Sequence, residues 1–336
     1  MNGIFIVPTG LGFEIGGHAG DATPAARLIA STVDKLIVHP NVVNASDINE
    51  MTDNMLYVEG SMLDNFLTGT SYLQEVKSNR IMVAVNKPVT PEVINVVSAA
   101  RAVLGADVFI WELETPITMT SKVDGNGASG EYDGVLDMLE SLQDNRDHIH
   151  FDALALATPV KVDDEVTLEY LRGGGGINPW GGIEAIVSRE VSNALGKPVA
   201  HAPVAQGTLS TLNEVVDPRM AAEMLSLSYL FSVIKGLHKA PRVDLGKGLH
   251  VSDIDFMISP ATCYGPPHTH CIMRNIPIII VEENKGQVPI PPQGVPFPLL
   301  NRVDNYLEAA GLILAMREGI TPESVRRPLK PTEIIR

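Results

Sequence analysis

The stretch SDIDFMISPATCYGPPHTHCIMRNIPIIIVEEN, residues 252–284, decides the predicted fold. Its apolar runs at 256–259 and 277–281 predict two buried strands, and residues 268–273 predict a short helix between them. A strand, a helix and a second strand in this order indicate a parallel sheet covered by helices. Such sheets bind ligands outside the carboxyl ends of their strands, so the loop with Cys263 and His268 is the first candidate site.

The amino-terminal residues follow the same pattern. An apolar run at 4–7 predicts a first strand, and Thr23 before Pro24 predicts the start of a helix. The loop between them is rich in glycine, and such a loop can hold an anion on its backbone N–H groups. Turn, cap or plain loop roles are the alternatives. We expect ligand contacts from this region and from the end of the next strand, at Gly16, Gly17, His18, Asp21, Thr23, Asn41 and Asn44.

A second glycine-rich loop precedes a predicted helix at 182–195. Four consecutive glycines and the sequence NPWGG let a backbone approach a ligand closely, although a linker is the alternative. The residues that we expect to bind here are Gly174, Gly175, Asn178, Trp180 and Gly181. Glu184, in the first helical turn, suits the helix dipole. His201 lies in the next predicted strand, where it is either packed or catalytic.

These elements predict an α/β fold with Rossmann-like, mostly parallel sheets and helices on both faces. We expect two lobes, at residues 1–150 and 151–320, with the site between them and a polar tail at 321–336. Residues 115–133 are polar and glycine-rich, which predicts either a lid or a disordered segment.

The composition excludes several classes of partner. The 336 residues are 45% hydrophobic and 19% charged, and the net charge is −15. An acidic chain without a basic block is not expected to bind nucleic acid or an anionic membrane. Two cysteines do not make a disulfide framework, and no apolar run resembles a leader or reaches the roughly 20 residues of a spanning helix. We therefore expect a cytoplasmic protein with a small-molecule ligand, and a homo-oligomer is compatible with the sequence.

The loop at 260–271 allows three chemistries. His268 and His270 could bind a divalent metal, the one cofactor that the sequence suggests. Cys263 could act as a nucleophile or an acid–base thiol, because a nearby helix N-terminus favours the thiolate. His268 and the helix N–H groups could hold an anion without covalent chemistry. The remaining interpretation is a loop that only packs against the rest of the fold.

Three resemblances accompany these patterns. The strand, short helix and NIPIIIVEEN resemble the second Rossmann-type domain of glycosyltransferases and nucleotide-sugar epimerases, which implies a donor-phosphate site. Thr262-Cys263 after a strand is similar to aspartate/glutamate racemases, which implies a cysteine-assisted racemase or isomerase. Across its length the chain resembles a domain-of-unknown-function family, through PTGLGFEIGGHAGDATP, HPNVVNA, GGGGINPWGGIEA and ATCYGPPH. That family implies no mechanism.

The sequence thus predicts an enzyme acting on a small metabolite that bears a carboxylate or phosphate. Cys263, His268 and His201 are the candidate catalytic residues, and hydrolase, lyase and isomerase chemistry are open. A non-catalytic metabolite-binding or sensor protein is the main alternative. A structural interaction protein is the third.

Overall fold

The structure is a computed structural model. It describes the chain except residues 19–20, 44–45, 174–175, 203–214, 216, 226–228, 291–299, 333 and 336. For residues 46–47, 172–173 and 222–225 it describes the backbone alone.

The described chain alternates strands and helices. The strands are β1 (Asn2–Phe5), β2 (Lys35–Val38), β3 (Met55–Tyr57), β4 (Tyr72–Gln74), β5 (Arg80–Asn86), β6 (Asp107–Leu113), β7 (Thr118–Asp124), β8 (Gly127–Asp133), β9 (Ala153–Ala157), β10 (Val160–Lys161), β11 (Val199–His201), β12 (Arg242–Asp244), β13 (Phe256–Ala261), β14 (Ile278–Lys285) and β15 (Leu300–Val303). The helices are α1 (Thr23–Ala30), α2 (Gly60–Thr68), α3 (Pro91–Leu104), α4 (Val135–Asp144), α5 (Asp164–Gly173), α6 (Gly181–Leu195), α7 (Pro218–Leu225), α8 (Tyr229–His238), α9 (Pro266–Met273) and α10 (Tyr306–Arg317).

Six parallel strands form the first sheet, in the order β15-β14-β13-β1-β2-β3. This order is that of doubly wound dinucleotide-binding folds, in which the chain winds outward from the centre in two directions. The reversal falls between β1 and β13, whose register pairs Gly3 with Phe256 and Phe5 with Ile258. The predicted Rossmann-like α/β fold is therefore confirmed.

Four further parallel strands form the second sheet, in the order β11-β9-β5-β6. Its winding direction reverses between β5 and β9. A three-stranded unit, β10-β7-β8, and a short antiparallel pair, β12-β4, complete the described strands.

Each parallel sheet has helices on both faces. In the first sheet Phe5 packs with α1 and α10, whereas the next residue toward the amino end, Ile4, packs with α2 and α9. In the second sheet Val83 faces α3 and α8, and its neighbour Met82 faces α4 and α6. This alternation follows from the two-residue period of strand side chains, and it buries the central strands of both sheets on both faces.

The two sheets divide the chain differently from the predicted boundary at residue 150. Strands from 2–57 and 256–303 share the first sheet, while strands from 80–201 form the second. The pairing of β1 with β13 joins residues about 250 positions apart. Local periodicity in the sequence cannot predict such a long-range pairing.

Of the two expectations for residues 115–133, disorder is wrong for residues 118–133. These residues form the hairpin of β7 and β8, paired from Thr118 with Asp133 to Asp124 with Gly127. The backbone N–H of Ala128 donates to the carbonyl of Gly10 at 2.9 Å, so the hairpin is bonded to the loop that follows β1.

The contact between β1 and β13 predicts a measurable loss of stability. A Cβ on Gly3 would lie 2.4 Å from Cζ of the Phe256 ring, too close for any real contact. Gly3→Ala should therefore lower the free energy of unfolding by about 1–3 kcal/mol through overpacking. Chemical denaturation measures the change, which should be smaller in a Phe256→Leu background.

Gly311→Ala is the matched control. Gly311 lies inside α10 with no atom within 4 Å of its Cβ position, so alanine there should stabilise the protein by about 0.5–1 kcal/mol. Equal losses in both variants would contradict the overpacking argument.

Candidate functional site

The polar loops gather where the first sheet reverses direction. The loop after β1 and the loop after β13 leave neighbouring strands at the carboxyl edge, the usual ligand position in such sheets. Thr262, directly after β13, has a φ of 65°, which is unfavourable for a β-branched residue. Its hydroxyl accepts the N–H of Gly286 at 2.9 Å, which helps to hold that conformation. Backbone strain of this kind is concentrated at functional positions in proteins.

Cys263 and His268 do meet in this loop, through a third residue. The hydroxyl of Ser259 lies 2.8 Å from Nε2 of His268 and 3.3 Å from the sulfur of Cys263. The N–H of Gly265 donates to Nδ1 of His268, so the ring proton is assigned to Nε2. The thiol of Cys263 in turn donates to the carbonyl of Pro260.

Burial favours the uncharged forms of Cys263 and His268. It raises the pKa of the Cys263 thiol to about 11 and lowers the pKa of His268 to about 4. The expected stabilisation of a thiolate by the helix N-terminus is therefore outweighed by desolvation. The three side chains form a neutral, hydrogen-bonded group beneath the loop.

The predicted metal pair does not converge. His268 and His270 both lie inside α9. Side chains two residues apart on an α-helix point about 200° away from each other around its axis. Both ring nitrogens of His268 already have protein partners. Within the described residues, no three His, Cys, Asp or Glu side chains lie together as a metal site would require.

The loop after β1 is held by side chains rather than left open to a ligand. Asn41 donates to the carbonyls of Val7, Pro8 and Gly16, and buried Asn284 bonds both the N–H and the carbonyl of Ile15. The carboxylate of Asp21 accepts the N–H of Gly16 at 2.6 Å. The N–H of Gly16, which was expected to hold an anion, is thus engaged by the protein, as is that of its neighbour Ile15.

Two other candidates in this region have contacts within the protein. A Cβ on Gly17 would lie 1.9 Å from the carbonyl oxygen of Phe13, which explains the glycine. Thr23 is the first residue of α1 rather than its N-cap, and its hydroxyl lies 3.4 Å from the carbonyl of Val42.

His18 connects the loop after β1 with α5. Its Nδ1 lies 2.7 Å from the hydroxyl of Tyr170, and the Tyr170 ring packs edge-on against Trp180. Burial, together with the positive charge of Arg219, lowers the pKa of His18 to about 4. His18 is therefore a neutral hydrogen-bonding group between the two glycine-rich loops.

The second glycine-rich loop caps α6 with its own residues. Oδ1 of Asn178 accepts the N–H groups of Trp180 and Gly181. A Cβ on Gly181 would lie 2.1 Å from the hydroxyl oxygen of Thr9, so the loop after β1 lies directly against the start of α6. The predicted contacts of Asn44, Gly174 and Gly175 lie outside the described residues.

Three side chains form a row at the carboxyl end of the second sheet: the carboxylate of Glu184, the imidazole of His201 and the hydroxyl of Thr158. The hydroxyl of Thr158 lies 2.9 Å from Nε2 of His201, and Oε1 of Glu184 lies 3.2 Å from Nδ1. The second pair is at ion-pair distance without hydrogen-bond alignment. The side chain of His201 is 1% exposed and that of Glu184 is 21% exposed. Glu184 is therefore the better exposed of these two side chains.

Sequence reasoning found one member of this row, His201, and missed the other two. Glu184 was explained by the helix dipole alone, and Thr158 carried no signal beyond its place at the end of a strand. The parallel pairing of β9 with β11, which sets His201 opposite Leu156, is what brings the three together. The residues that position the loops, Asn284 and Tyr170, were also missed.

Comparisons with known proteins place the chain in a family. A family model described as "Protein of unknown function (DUF3326)" matches residues 2–326, and the chain belongs to that family. An uncharacterized lipoprotein of Synechococcus sp. is 33% identical over 340 residues, covering 97% of this chain and 93% of the relative. No solved structure matches.

These comparisons bear on the expected location and on the resemblances. The cytoplasmic location is contradicted by the relative, which is named a lipoprotein. The local resemblances to nucleotide-sugar enzymes and to racemases are not confirmed, whereas the whole-chain resemblance to an unknown-function family is. No described helix combines the length and the apolar character that crossing a membrane requires.

The burial of both cysteines predicts their reactivity. Cys263 and Cys271 are free, buried thiols, and burial raises their pKa values to about 11 and about 12. Because the thiolate is the reactive form, we expect neither to react rapidly with a disulfide reagent in native protein at pH 7. Both should react after unfolding in guanidinium. One fast-reacting thiol in the native protein, mapped to Cys263, would contradict the assignment.

The buried histidines predict a loss of stability in mild acid. Burial lowers the pKa values of His18, His39 and His268 from 6.5 to about 4, so the unfolded chain binds protons first as the pH falls. The free energy of unfolding should be fully retained above pH 6.5 and should decline as the pH falls from 6.5 through about 4. Each histidine contributes a slope of at most about 1.4 kcal/mol per pH unit.

Denaturation between pH 4 and 8 tests this slope. His39→Gln should flatten it, since the group that titrates is removed, while His150→Gln, at an exposed position, should not. An unchanged slope in His39→Gln would exclude His39 as a contributor.

Proposed function

We propose that this protein is an enzyme that moves protons to and from a small metabolite at the start of α6. The observation that carries the proposal is the row of Glu184, His201 and Thr158. A carboxylate next to a histidine that is fixed by a hydroxyl is a common arrangement for general acid–base chemistry.

The exposure of the three side chains favours proton transfer over covalent catalysis. Glu184 is the better exposed side chain and is the group that would meet the substrate, whereas Thr158 is fully buried. A hydroxyl that donates to Nε2 puts the ring proton on Nδ1, facing the carboxylate. Glu184 then exchanges protons with the substrate, while His201 and Thr158 position it. Isomerase or lyase chemistry fits this division of roles better than a nucleophilic mechanism.

The position of the row also supports a metabolite site. Thr158 follows β9 and His201 ends β11, at the carboxyl edge of the second sheet, and Gly181 at the start of α6 lies against Thr9 from the first. Ligands of open parallel sheets bind at such edges. The backbone N–H groups of Gly16, Trp180 and Gly181 have protein acceptors, so these three groups do not form an anion cradle.

A non-catalytic metabolite-binding protein is the second candidate. The neutral, buried state of Cys263 and His268 favours it, because a binding protein needs shaped loops but no reactive side chain.

Deuterium exchange distinguishes the two candidates. The purified protein is incubated in D₂O with a metabolite extract, and mass spectrometry detects deuterium that enters carbon-bound positions. An acid–base enzyme labels at least one metabolite, and Glu184→Gln should slow that labelling by roughly 10²–10⁴-fold, the usual contribution of a general acid or base. Thr158→Val should shift the pH profile of labelling, because the hydroxyl acts through His201.

Glu140→Gln is the matched control, since Glu140 is an exposed carboxylate on α4, away from the row. Its labelling rate should equal that of the wild type. A metabolite that is retained on dialysis but never labelled would favour the binding protein. Equal labelling by Glu184→Gln and the wild type would exclude Glu184 as the acid–base group.

A further inference from the structure

The second sheet has an open edge at β6. This strand pairs with β5 over all seven of its residues, and no backbone hydrogen bond joins its other side to any described residue. The other outer strands of the two parallel sheets, β3, β11 and β15, have only three or four residues each. Within the described chain, β6 is therefore the longest outer strand of these sheets.

The open edge of β6 lacks the features that usually keep an outer strand single. Short length, lysine, proline and bulges normally protect such strands from pairing with another chain. The strand has a regular register with β5 and an uninterrupted apolar middle at residues 108–111. The side chains of Phe109, Ile110 and Trp111 are all partly exposed. The unpaired backbone groups and these side chains fit another β-strand.

The helix that covers β6 adds two exposed side chains beside this edge. The elements β5, α3 and β6 form a parallel crossover, and such crossovers are right-handed. Val93, Val97 and Ala100 are the buried residues of α3. With these facing the sheet, right-handed winding turns the flank of Ile94 and Arg101 toward the outer side of β6. Ile94 is 48% exposed, and Arg101 is exposed without an ion pair to any described residue.

We infer that a second copy of this chain pairs with β6, in the antiparallel direction and centred on Ile110. Each β6 then opposes all seven residues of the other, and a twofold axis passes between the two Ile110 residues. Phe109 of each copy faces Trp111 of the other, on the same side of the sheet. Cross-strand aromatic pairs are among those that stabilise a sheet. The two copies thus form one continuous sheet.

The charges at the edge favour this arrangement. Pairing centred on Ile110 brings Glu112 of the second copy opposite Val108, at the end of β6 where α3 finishes. Val108 and Ile110 pack on the α3 side of the sheet, and Glu112 lies on that side because strand side chains alternate. Arg101 is the exposed cation at this end of α3. Twofold symmetry therefore brings Arg101 of one copy to Glu112 of the other twice.

The remaining charges leave this complementarity in place. At the amino end of β6, Arg80 and Asp107 pair at 3.5 Å, so Arg101 sets the net charge there. At the carboxyl end two carboxylates exceed one cation: Glu112, Glu114 and Lys87. The ends of α3 add partial charges of only about half a unit. Other charges at the amino ends of the sheet pair with each other: Arg146 with Asp147, and Asp152 with Arg242. Antiparallel pairing therefore joins a positive end to a negative end.

Cysteine cross-linking tests the register of the pairing. Residues that oppose each other in an antiparallel pair have Cα atoms about 4.5–5.5 Å apart, within the range of a disulfide. Ile110→Cys should therefore form a disulfide-linked dimer on mild oxidation, seen as a doubled mass on a non-reducing gel. Leu136→Cys, at a 69% exposed position on α4, should remain a single chain under the same conditions. The two natural cysteines are buried and do not interfere.

Sedimentation analysis tests the charges. The wild-type protein should sediment as a dimer, with about twice the 36.1 kDa mass of one chain. Arg101→Glu should raise the dimer dissociation constant roughly two- to thirty-fold, the range of two exposed ion pairs. Adding Glu112→Arg to the same chain should restore the dimer, because both contacts then form with exchanged signs. Lys247→Glu, an exposed position elsewhere with the same change in net charge, should leave the dimer unchanged.

Three outcomes overturn the inference. The first is a wild-type protein that stays monomeric at every concentration tested. The second is a dimer that Arg101→Glu leaves unchanged and that Ile110→Cys does not cross-link, because another surface then joins the copies. The third is a monomer that captures a strand of a different protein on β6. Cross-linking of Ile110→Cys, together with association restored in the double charge reversal, supports the pairing of two copies.

Discussion

The close approach of α6 to two other segments is the constraint on which the site depends. A Cβ on Gly182 would lie 2.1 Å from the carbonyl oxygen of Ala128, and one on Gly181 equally close to the hydroxyl of Thr9. Only glycine at both positions lets the first turn of the helix touch the hairpin and the loop after β1 together. The same turn carries Glu184, so these two contacts fix the backbone from which the carboxylate extends.

Burial determines which of the candidate side chains can ionise or exchange protons with a ligand. Cys263 and His268 have the residue types of a reactive pair, but desolvation disfavours the charged form of each, and Ser259 bonds both. They stabilise the loop after β13 beneath the strained Thr262. Glu184 retains solvent contact, and a carboxylate needs that contact to exchange protons with a ligand.

The local elements could be predicted from the sequence, and their assembly could not. Apolar runs marked β1, β2, β13 and β14 because strands buried on both faces are apolar throughout. The joining of residues 2–57 with 256–303 is a long-range pairing that no local pattern carries. The hairpin at 118–133 was missed because most of its side chains are exposed on both faces, which removes the alternation of a half-buried strand. Its two-residue Gly125-Asn126 loop was the signal that could have found it.

The candidate site, too, could be predicted only in part from the sequence. His201 could be chosen from its type, but its partners depend on the register of β9 with β11 and on where α6 begins. Many of the polar loop residues that the sequence singled out, such as Asn41, Asp21 and Asn178, bond the backbone near the site rather than a ligand. They fix the loop after β1 and the start of α6, which are the two segments that meet beside Glu184. An acid–base group needs such a support, because proton transfer requires its donor and acceptor to stay within hydrogen-bond reach. The glycine-rich loops therefore hold α6 in place, even where their N–H groups are occupied.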